Sequence, residues 1–335
     1  MRNLGRSAVV KECCSAESKP LVSVVVPAYN AGGTLAECLE SIIGQTYERI
    51  EVVVVDDGSN DDTRAVAQAL ADADSRVHVV SQPNQGCPTA CNAGFDLSRG
   101  SWLIRFDADD LMSDTYVADM LNLAQRYPGY SAYASNGFFF GSGESKPIHR
   151  IRKQPHVVDV HVVLSAGPAL PCNALFCRDY LELTGGFDPA LRHTEDFDFW
   201  LRGALLGAVF LFDYQPRWYY RRHGQGKSSD ARAETVTKAA ILDAASAQVP
   251  AVSAALLIDL ERARRKAGAD VIRRDLEYAL VQPHSPVAPR RRFLSSYFAY
   301  EKPWGFWLAL PLIVADPRLY GWIVSRRRYT PSSRR

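Results

Sequence analysis

The sequence holds no uninterrupted apolar run of the roughly 18–20 residues that a membrane-spanning helix needs. The nearest approach, Pro303 to Val324, is broken by Asp316, Pro317 and Arg318. It also has no Cys-x-x-Cys pair. Its seven cysteines include the neighbours Cys13 and Cys14, a pattern that argues against both a disulfide scaffold and a zinc ribbon and fits a reducing, cytoplasmic setting. No Gly-x-Gly-x-x-Gly follows the first strand, which removes the dinucleotide-binding dehydrogenases. Gly224-Gln225-Gly226-Lys227-Ser228 lacks the glycine a P-loop requires five positions before Gly226, where Arg221 stands. Charge of one sign is not in excess either, since 39 Lys and Arg face 37 Asp and Glu. No nucleic-acid partner is therefore indicated. No internal repeat is present.

What is there is ordinary globular material: 335 residues, 47% hydrophobic and 23% charged, enough to bury a sizeable core. Residues 1–20 alternate charged and small side chains without the apolar centre of a secretory signal, and are expected to form a disordered leader. The β-branched runs Val22–Val26 and Glu51–Val55 read as strands buried on both faces. Between them Leu35, Leu39, Ile42 and Ile43 make a helical stripe, with Thr34 and Glu37 at the spacing of a capping box. Helix Asp62–Ala71, strand Val77–Val80, helix Pro88–Leu97 and strand Trp102–Phe106 continue the alternation. Such β/α order implies an α/β fold, a Rossmann-like, mostly parallel sheet sandwiched by helices.

Ligands of open α/β sheets bind outside the carboxyl ends of the strands. Here those ends carry Pro27-Ala28-Tyr29-Asn30, Asp56-Asp57-Gly58-Ser59 and Asp107-Ala108-Asp109-Asp110. Packed carboxylates at a strand end repel one another unless a cation or hydrogen-bond donors compensate. Hard oxygen ligands suit Mg²⁺ or Mn²⁺, held jointly by one or two carboxylates and nucleotide phosphates. The plainer account of each cluster is a solvated turn that caps the next helix. Further on come a helix near Asp114–Arg126, aromatic strand material over Tyr130–Phe140, a loop over Gly141–Pro147, and a helix over Thr194–Leu206 with Thr194 as cap. Residues 230–282 are Ala- and Arg-rich and read as about two peripheral helices.

Taken in order, Val26-Pro27-Ala28-Tyr29-Asn30, Asp56-Asp57-Gly58-Ser59 and Phe106-Asp107-Ala108-Asp109-Asp110 resemble family 2 of the inverting glycosyltransferases. The resemblance continues through Gln45-Thr46-Tyr47, Asn84-Gln85-Gly86, Asn92-Ala93-Gly94, Gly185-Gly186-Phe187-Asp188, Thr194-Glu195-Asp196-Phe197-Asp198 and Tyr220-Arg221-Arg222-His223. It covers about Leu21 to Ser229 and implies a GT-A-type fold. It implies a nucleotide-binding half over 21–110 and an acceptor half over 111–229, with a nucleotide-diphosphate sugar, most simply a uridine one, as donor. Pro27, Tyr29, Asn30 and Asp57 match positions for the base and ribose. Asp107 and Asp109 match the metal-and-nucleotide motif, with Asp110 able to share the metal. Asp196 matches the catalytic base, with Glu195 as its orienting neighbour or simply an acid favoured by the helix dipole. Arg221 and His223 match basic residues that approach the diphosphate. One departure stands out: Cys91 occupies the place before Asn92 where the family often carries Arg. A positive charge near the donor is thus missing, which shifts the load to the metal and to Arg221 or Arg222.

Residues 283–335 begin as a Pro/Arg-rich linker around Pro283, Pro286 and Pro289, and continue into Trp304, Phe306, Trp307, Tyr320 and Trp322 followed by Arg326-Arg327-Arg328. The last twenty residues carry a surplus of five positive charges, leaving net −3 for the rest. Aromatics beside arginines suit a peripheral contact with the inner face of a membrane, or a helix packed on the domain with a solvated basic tail. The resemblance implies a glycan or lipid-linked acceptor. The competing classes are a noncatalytic sugar-nucleotide-binding or glycan-binding module, which has no use for a base, and a nucleotidyltransferase, which has no use for the Thr194–Asp198 motif.

Overall fold

The structure, a computed structural model, describes residues 19–141, 145–165, 170–222, 231–248 and 254–281. Its first half follows the expected alternation: β1 (Val22–Ala28), α1 (Leu35–Ile43), β2 (Ile50–Asp56), α2 (Thr63–Ala73), β3 (Val77–Ser81), α3 (Cys87–Leu97) and β4 (Trp102–Arg105). Every residue of β1, β2 and β4 is buried, as unbroken β-branched runs require. The strands lie in the order β3-β2-β1-β4, all parallel, with Ala28 paired to Asp56 and Val25 to Arg105. All three motif-bearing strand ends therefore emerge along one edge. α3 packs on β1 and β2 through Gly94, where an added Cβ would lie 2.3 Å from Val25 Cγ1. Only a glycine lets helix and strand approach that closely.

The second half is mixed rather than parallel. It comprises β5 (Leu111–Met112), α4 (Tyr116–Arg126), β6 (Ala132–Gly141), β7 (Lys146–Pro147), β8 (His156–Val158), α5 (Val160–Leu164), β9 (Leu175–Cys177), α6 (Arg178–Thr184), α7 (Glu195–Leu205) and β10 (Phe210–Arg222). The short β9 runs antiparallel between β4 and β6 and joins the two halves into one ten-stranded sheet. β10 pairs in parallel with β6 from Phe210↔Ala132 to Arg222↔Gly141, with irregularities around Pro216. The stretch expected as a loop over 141–147 contains β7, paired with β6; residues 142–144 lie outside the described ones. Phe95, Phe176, Tyr180, Phe187, Phe199, Trp200 and Phe210 form one aromatic core, with Phe187 and Phe199 stacked at 4.5 Å between centroids. That core fixes the start of α7 against the parallel half.

Two caps differ from the sequence expectation. The Thr34 hydroxyl donates back to Ala31 O (3.4 Å) rather than capping α1, and Glu37 reaches out to Arg221 instead. Thr194 adopts φ 55° and its hydroxyl donates to His193 O (2.7 Å), so it does not cap α7 with its side chain. The described residues divide into two compact units, one holding β1 to β10 and the start of α9, the other α8 (Ala231–Gln248) and the rest of α9 (Ala254–Val281). Within the second unit Arg264 of α9 pairs with Asp243 of α8 at 2.7 Å. Of the expected leader, Lys19 and Pro20 are tied down by hydrogen bonds from Arg49 and Tyr47 to their carbonyls (both 2.5 Å); the rest, like the expected linker and tail over 283–335, falls outside the described residues. Among the described residues no helix is long and apolar enough to cross a membrane.

Candidate active site

The ends of β1 and β2 build one side of the site. Tyr29 stands 50% exposed past the buried Pro27. Asn30, at φ 50°, accepts from Asn60 N (2.9 Å) through Oδ1, and its own N–H donates to Ser59 Oγ (3.0 Å). Asp57 is buried, and its Oδ1 accepts from Gln82 Nε2 (2.8 Å) and Gln85 N (2.9 Å) while Oδ2 accepts from Gly86 N (2.8 Å). The carboxylate thus shapes the Asn84-Gln85-Gly86 turn as well as facing the strand ends, and keeps acceptor capacity for one further donor on Oδ2.

Several motif residues are braces. Gln45 donates to Ser41 O (3.0 Å) and Ser113 O (2.6 Å) and accepts from Val117 N (2.9 Å), locking α1 to the segment after the acidic turn. The Asn92 amide bonds the Phe187 backbone in both directions (2.8 and 2.9 Å), and its Oδ1 would lie 2.6 Å from a Cβ at Gly186, which sits at φ +82°. Arg202 pairs with Asp198 (2.7 Å) and donates to Gly186 O (2.6 Å). Asp198 is therefore a fixture of α7, not a free acid.

The acidic turn after β4 meets α7 at a single guanidinium. Arg105, with 7% of its side chain exposed, donates from Nη2 to Asp107 Oδ1 (2.7 Å), lies 3.7 Å from Glu195 Oε1 and 3.2 Å from Cys87 Sγ, and leaves Nε without a partner. Cys91, at the position where the resemblance expects Arg, is fully buried, and the cation beside this turn is Arg105 of β4, paired with Asp107. Asp107 Oδ2 accepts from Cys172 Sγ (3.1 Å). Asp110 is buried, its Oδ1 accepting from Arg221 N (2.9 Å), and burial followed by the charges of Asp107 and Asp109 pushes its carboxyl well above the usual range. Arg221 also donates through Nε to Asp109 O (2.8 Å), pairs with Glu37 and lies 4.5 Å from the centre of the Phe140 ring. Arg222 turns to the other aromatic row, 3.9 Å over Phe139. His223 lies outside the described residues. Asp196 is half-buried at the start of α7, and its Oδ1 accepts from Phe197 N (2.7 Å). Burial, then the neighbouring Glu195, raises its carboxyl above the ordinary value.

The donor set at the acidic turn is hard oxygen, and its like-charge crowding is what a divalent cation relieves. Two of the oxygens of Asp107 and one of Asp110 already accept from the chain, and among the described residues no group of three His, Cys, Asp or Glu is arranged to hold a metal. The residues fit a cation that takes one or two carboxylates and completes its shell with phosphate oxygens and water, the ordinary habit of Mg²⁺.

A parallel α/β half with three polar strand ends, joined through an antiparallel strand to a mixed half that presents an acidic residue at a helix start, defines the GT-A glycosyltransferase architecture. Solved structures agree at the level of the fold. Staphylococcus aureus TarS 1–349 in complex with UDP-GlcNAc superposes with a TM-score of 0.60 at 16% identity, covering 83% of this chain and 89% of that one. The mannosyltransferase PcManGT from Pyrobaculum calidifontis, in complex with GDP-Man and Mn²⁺, gives 0.55 at 18% identity over 95% of this chain and 91% of that one. Residues 23–183 match the model of glycosyl transferase family 2. An uncharacterised glycosyltransferase of Rickettsia prowazekii is 25% identical over 201 residues, 58% of this chain; the match spans 62% of that relative's length.

Proposed function

We propose that this chain transfers a sugar from a nucleotide-diphosphate donor, most simply a UDP-sugar, to a hydroxyl of a glycan or lipid-linked acceptor, with inversion at the anomeric carbon. The observation that carries the reading is the meeting of the Asp107–Asp110 turn with Glu195 and Asp196 around Arg105. In this reading the acids assigned to metal and phosphate and the acid assigned as general base belong to one cluster. The noncatalytic alternative has no need of the base, and a nucleotidyltransferase has no need of its link to the acidic turn.

Tyr29 offers an exposed ring face to the base, and Pro27, Asn30 and Asp57 frame the ribose and pyrimidine edge. Asp109 and Asp110, with Asp107 held by Arg105, are the residues that would hold Mn²⁺ or Mg²⁺. A divalent ion held there would supply neutralisation of charge on the leaving diphosphate. Arg221 reaches the same turn, and it and His223, two residues on in sequence, are the basic residues assigned to the diphosphate. Asp196 takes the acceptor proton; a carboxyl raised by burial and by Glu195 is a stronger base than one in water. Inversion follows from a single in-line displacement.

The reading is tested by calorimetric binding of UDP- and GDP-sugars with and without Mn²⁺ or Mg²⁺. One donor is expected to bind only with the metal, and Asp109→Ala to weaken it at least tenfold. Absence of binding by every nucleotide sugar, or metal-independent binding unchanged in Asp109→Ala, would contradict it.

A further inference from the structure

The turn Asn84-Gln85-Gly86 delivers the chain into α3 with Cys87 as its first residue and Cys91 one turn later. Their sulfurs lie 3.8 Å apart, and Arg105 Nη2 lies 3.2 Å from Cys87 Sγ. Cys87 is partly exposed; Cys91 is fully buried. Three independent features favour a thiolate at Cys87: the amino end of an eleven-residue helix, a buried guanidinium whose Nε has no partner, and a neighbouring thiol able to donate. The remaining described cysteines lack this setting. Cys38 and Cys172 donate to Asp107, and Cys177 is buried in β9.

We propose that Cys87 and Cys91 form an oxidisable pair, in which Cys87 is the thiol that meets a hydroperoxide and Cys91 the thiol that resolves it. The Cys87 sulfur attacks the terminal peroxide oxygen, the O–O bond breaks, and the alcohol or water leaves with a proton. The sulfur of Cys91 then attacks the sulfenic sulfur, an S–S bond forms and water departs. The thiol pair loses two electrons and the peroxide gains them. Four residues apart on a helix, the two Cα atoms are about 6 Å apart along the axis, within the span a disulfide bridges. Cys87 opens the first turn, where the leading N–H groups have no intrahelical partners and rearrangement costs least, and Cys91 follows one turn later. The hydrogen bond from Cys91, against burial and with help from the Arg105 charge, holds the Cys87 thiol below its ordinary value, while burial raises Cys91 and keeps it a donor. The inference is independent of glycosyl transfer, though it places the redox-sensitive pair against the cation that organises Asp107 and Glu195.

The test uses the full chain with Cys13→Ser and Cys14→Ser, limited hydrogen peroxide, trypsin without reductant and mass spectrometry. Residues 77–99 contain no internal Lys or Arg, so both sulfurs fall in one peptide. That peptide is expected to lose two hydrogens and to regain them with dithiothreitol. Cys91→Ser is expected to leave a sulfenic acid on Cys87 that dimedone traps, and Cys87→Ser to abolish both products. Oxidation of Cys38, Cys172 or Cys177 before Cys87, or a sulfenic acid on Cys87 that persists with Cys91 present, would overturn the proposal. Neither readout needs donor or acceptor.

Discussion

A guanidinium facing one carboxylate at 2.7 Å and another at 3.7 Å, with 7% of its side chain in solvent, governs the charge of everything around it. Remove it and two carboxylates, Asp107 and Glu195, stay buried or half-buried with no cation between them. Breaking a buried pair by deleting one partner typically costs about 3–5 kcal/mol. Arg105→Met is therefore expected to lower the unfolding free energy by that amount in urea titrations, with Arg105→Lys recovering part of it; a loss under about 1 kcal/mol would show that the cluster is already compensated by other means. The acids of this cluster could be singled out in the sequence only through the order of the motifs, since a lone Asp-x-Asp at a strand end serves equally as a turn that caps the next helix. Arg105 could not be. It sits inside Trp102–Phe106, a run that reads as strand, and the partner that gives it meaning, Glu195, is ninety positions away. Gln45, Asn92 and Asp198 could be placed in motifs but not given work, since each braces backbone from a distant segment.

At the scale of elements, one buried carboxylate ties three strands together. Glu51, at the start of β2, accepts from Ser23 Oγ of β1 (2.6 Å) and, ahead of β4, from Arg99 N (2.5 Å), Arg99 Nε (2.9 Å) and Gly100 N (3.2 Å). Burial alone would raise its carboxyl, but the Ser23 and Arg99 hydrogen bonds and the Arg99 charge outweigh it and hold the group below the ordinary 4.5. A lowered folded value means the stabilisation is complete above about pH 4.5 and is lost as pH falls through the folded value. Acid unfolding of Glu51→Gln is expected to show a shallower pH dependence below 4.5 and about 1–3 kcal/mol less stability at pH 7; an unchanged acid limb would remove Glu51 from the link. The parallel half was readable because continuous β-branched runs leave little choice of structure. β5, β8 and β9 are two or three residues long and carry no periodicity to read, and β10 is interrupted by Asp213, Gln215 and Pro216, polar or ring-closed residues that sequence patterning treats as loop.

The whole chain is nearly neutral, yet its basic surplus is gathered in the last twenty residues. Each Lys or Arg near an anionic leaflet contributes about 1 kcal/mol, so replacing Arg326, Arg327 and Arg328 with serine is expected to weaken co-sedimentation of the full chain with phosphatidylserine vesicles by roughly a hundredfold. Equal sedimentation of the two proteins would assign the tail to the protein rather than to lipid. Under the proposed function Asp196 takes the acceptor proton in the same site that would bind the nucleotide sugar. That assignment is tested most directly by comparing wild type with Asp196→Asn under saturating metal and donor, measuring donor affinity and donor turnover on the same samples. The expected result is unchanged affinity with turnover reduced by about 10²–10⁴-fold, the range of general-base contributions. Equal turnover by the two proteins would contradict the assignment.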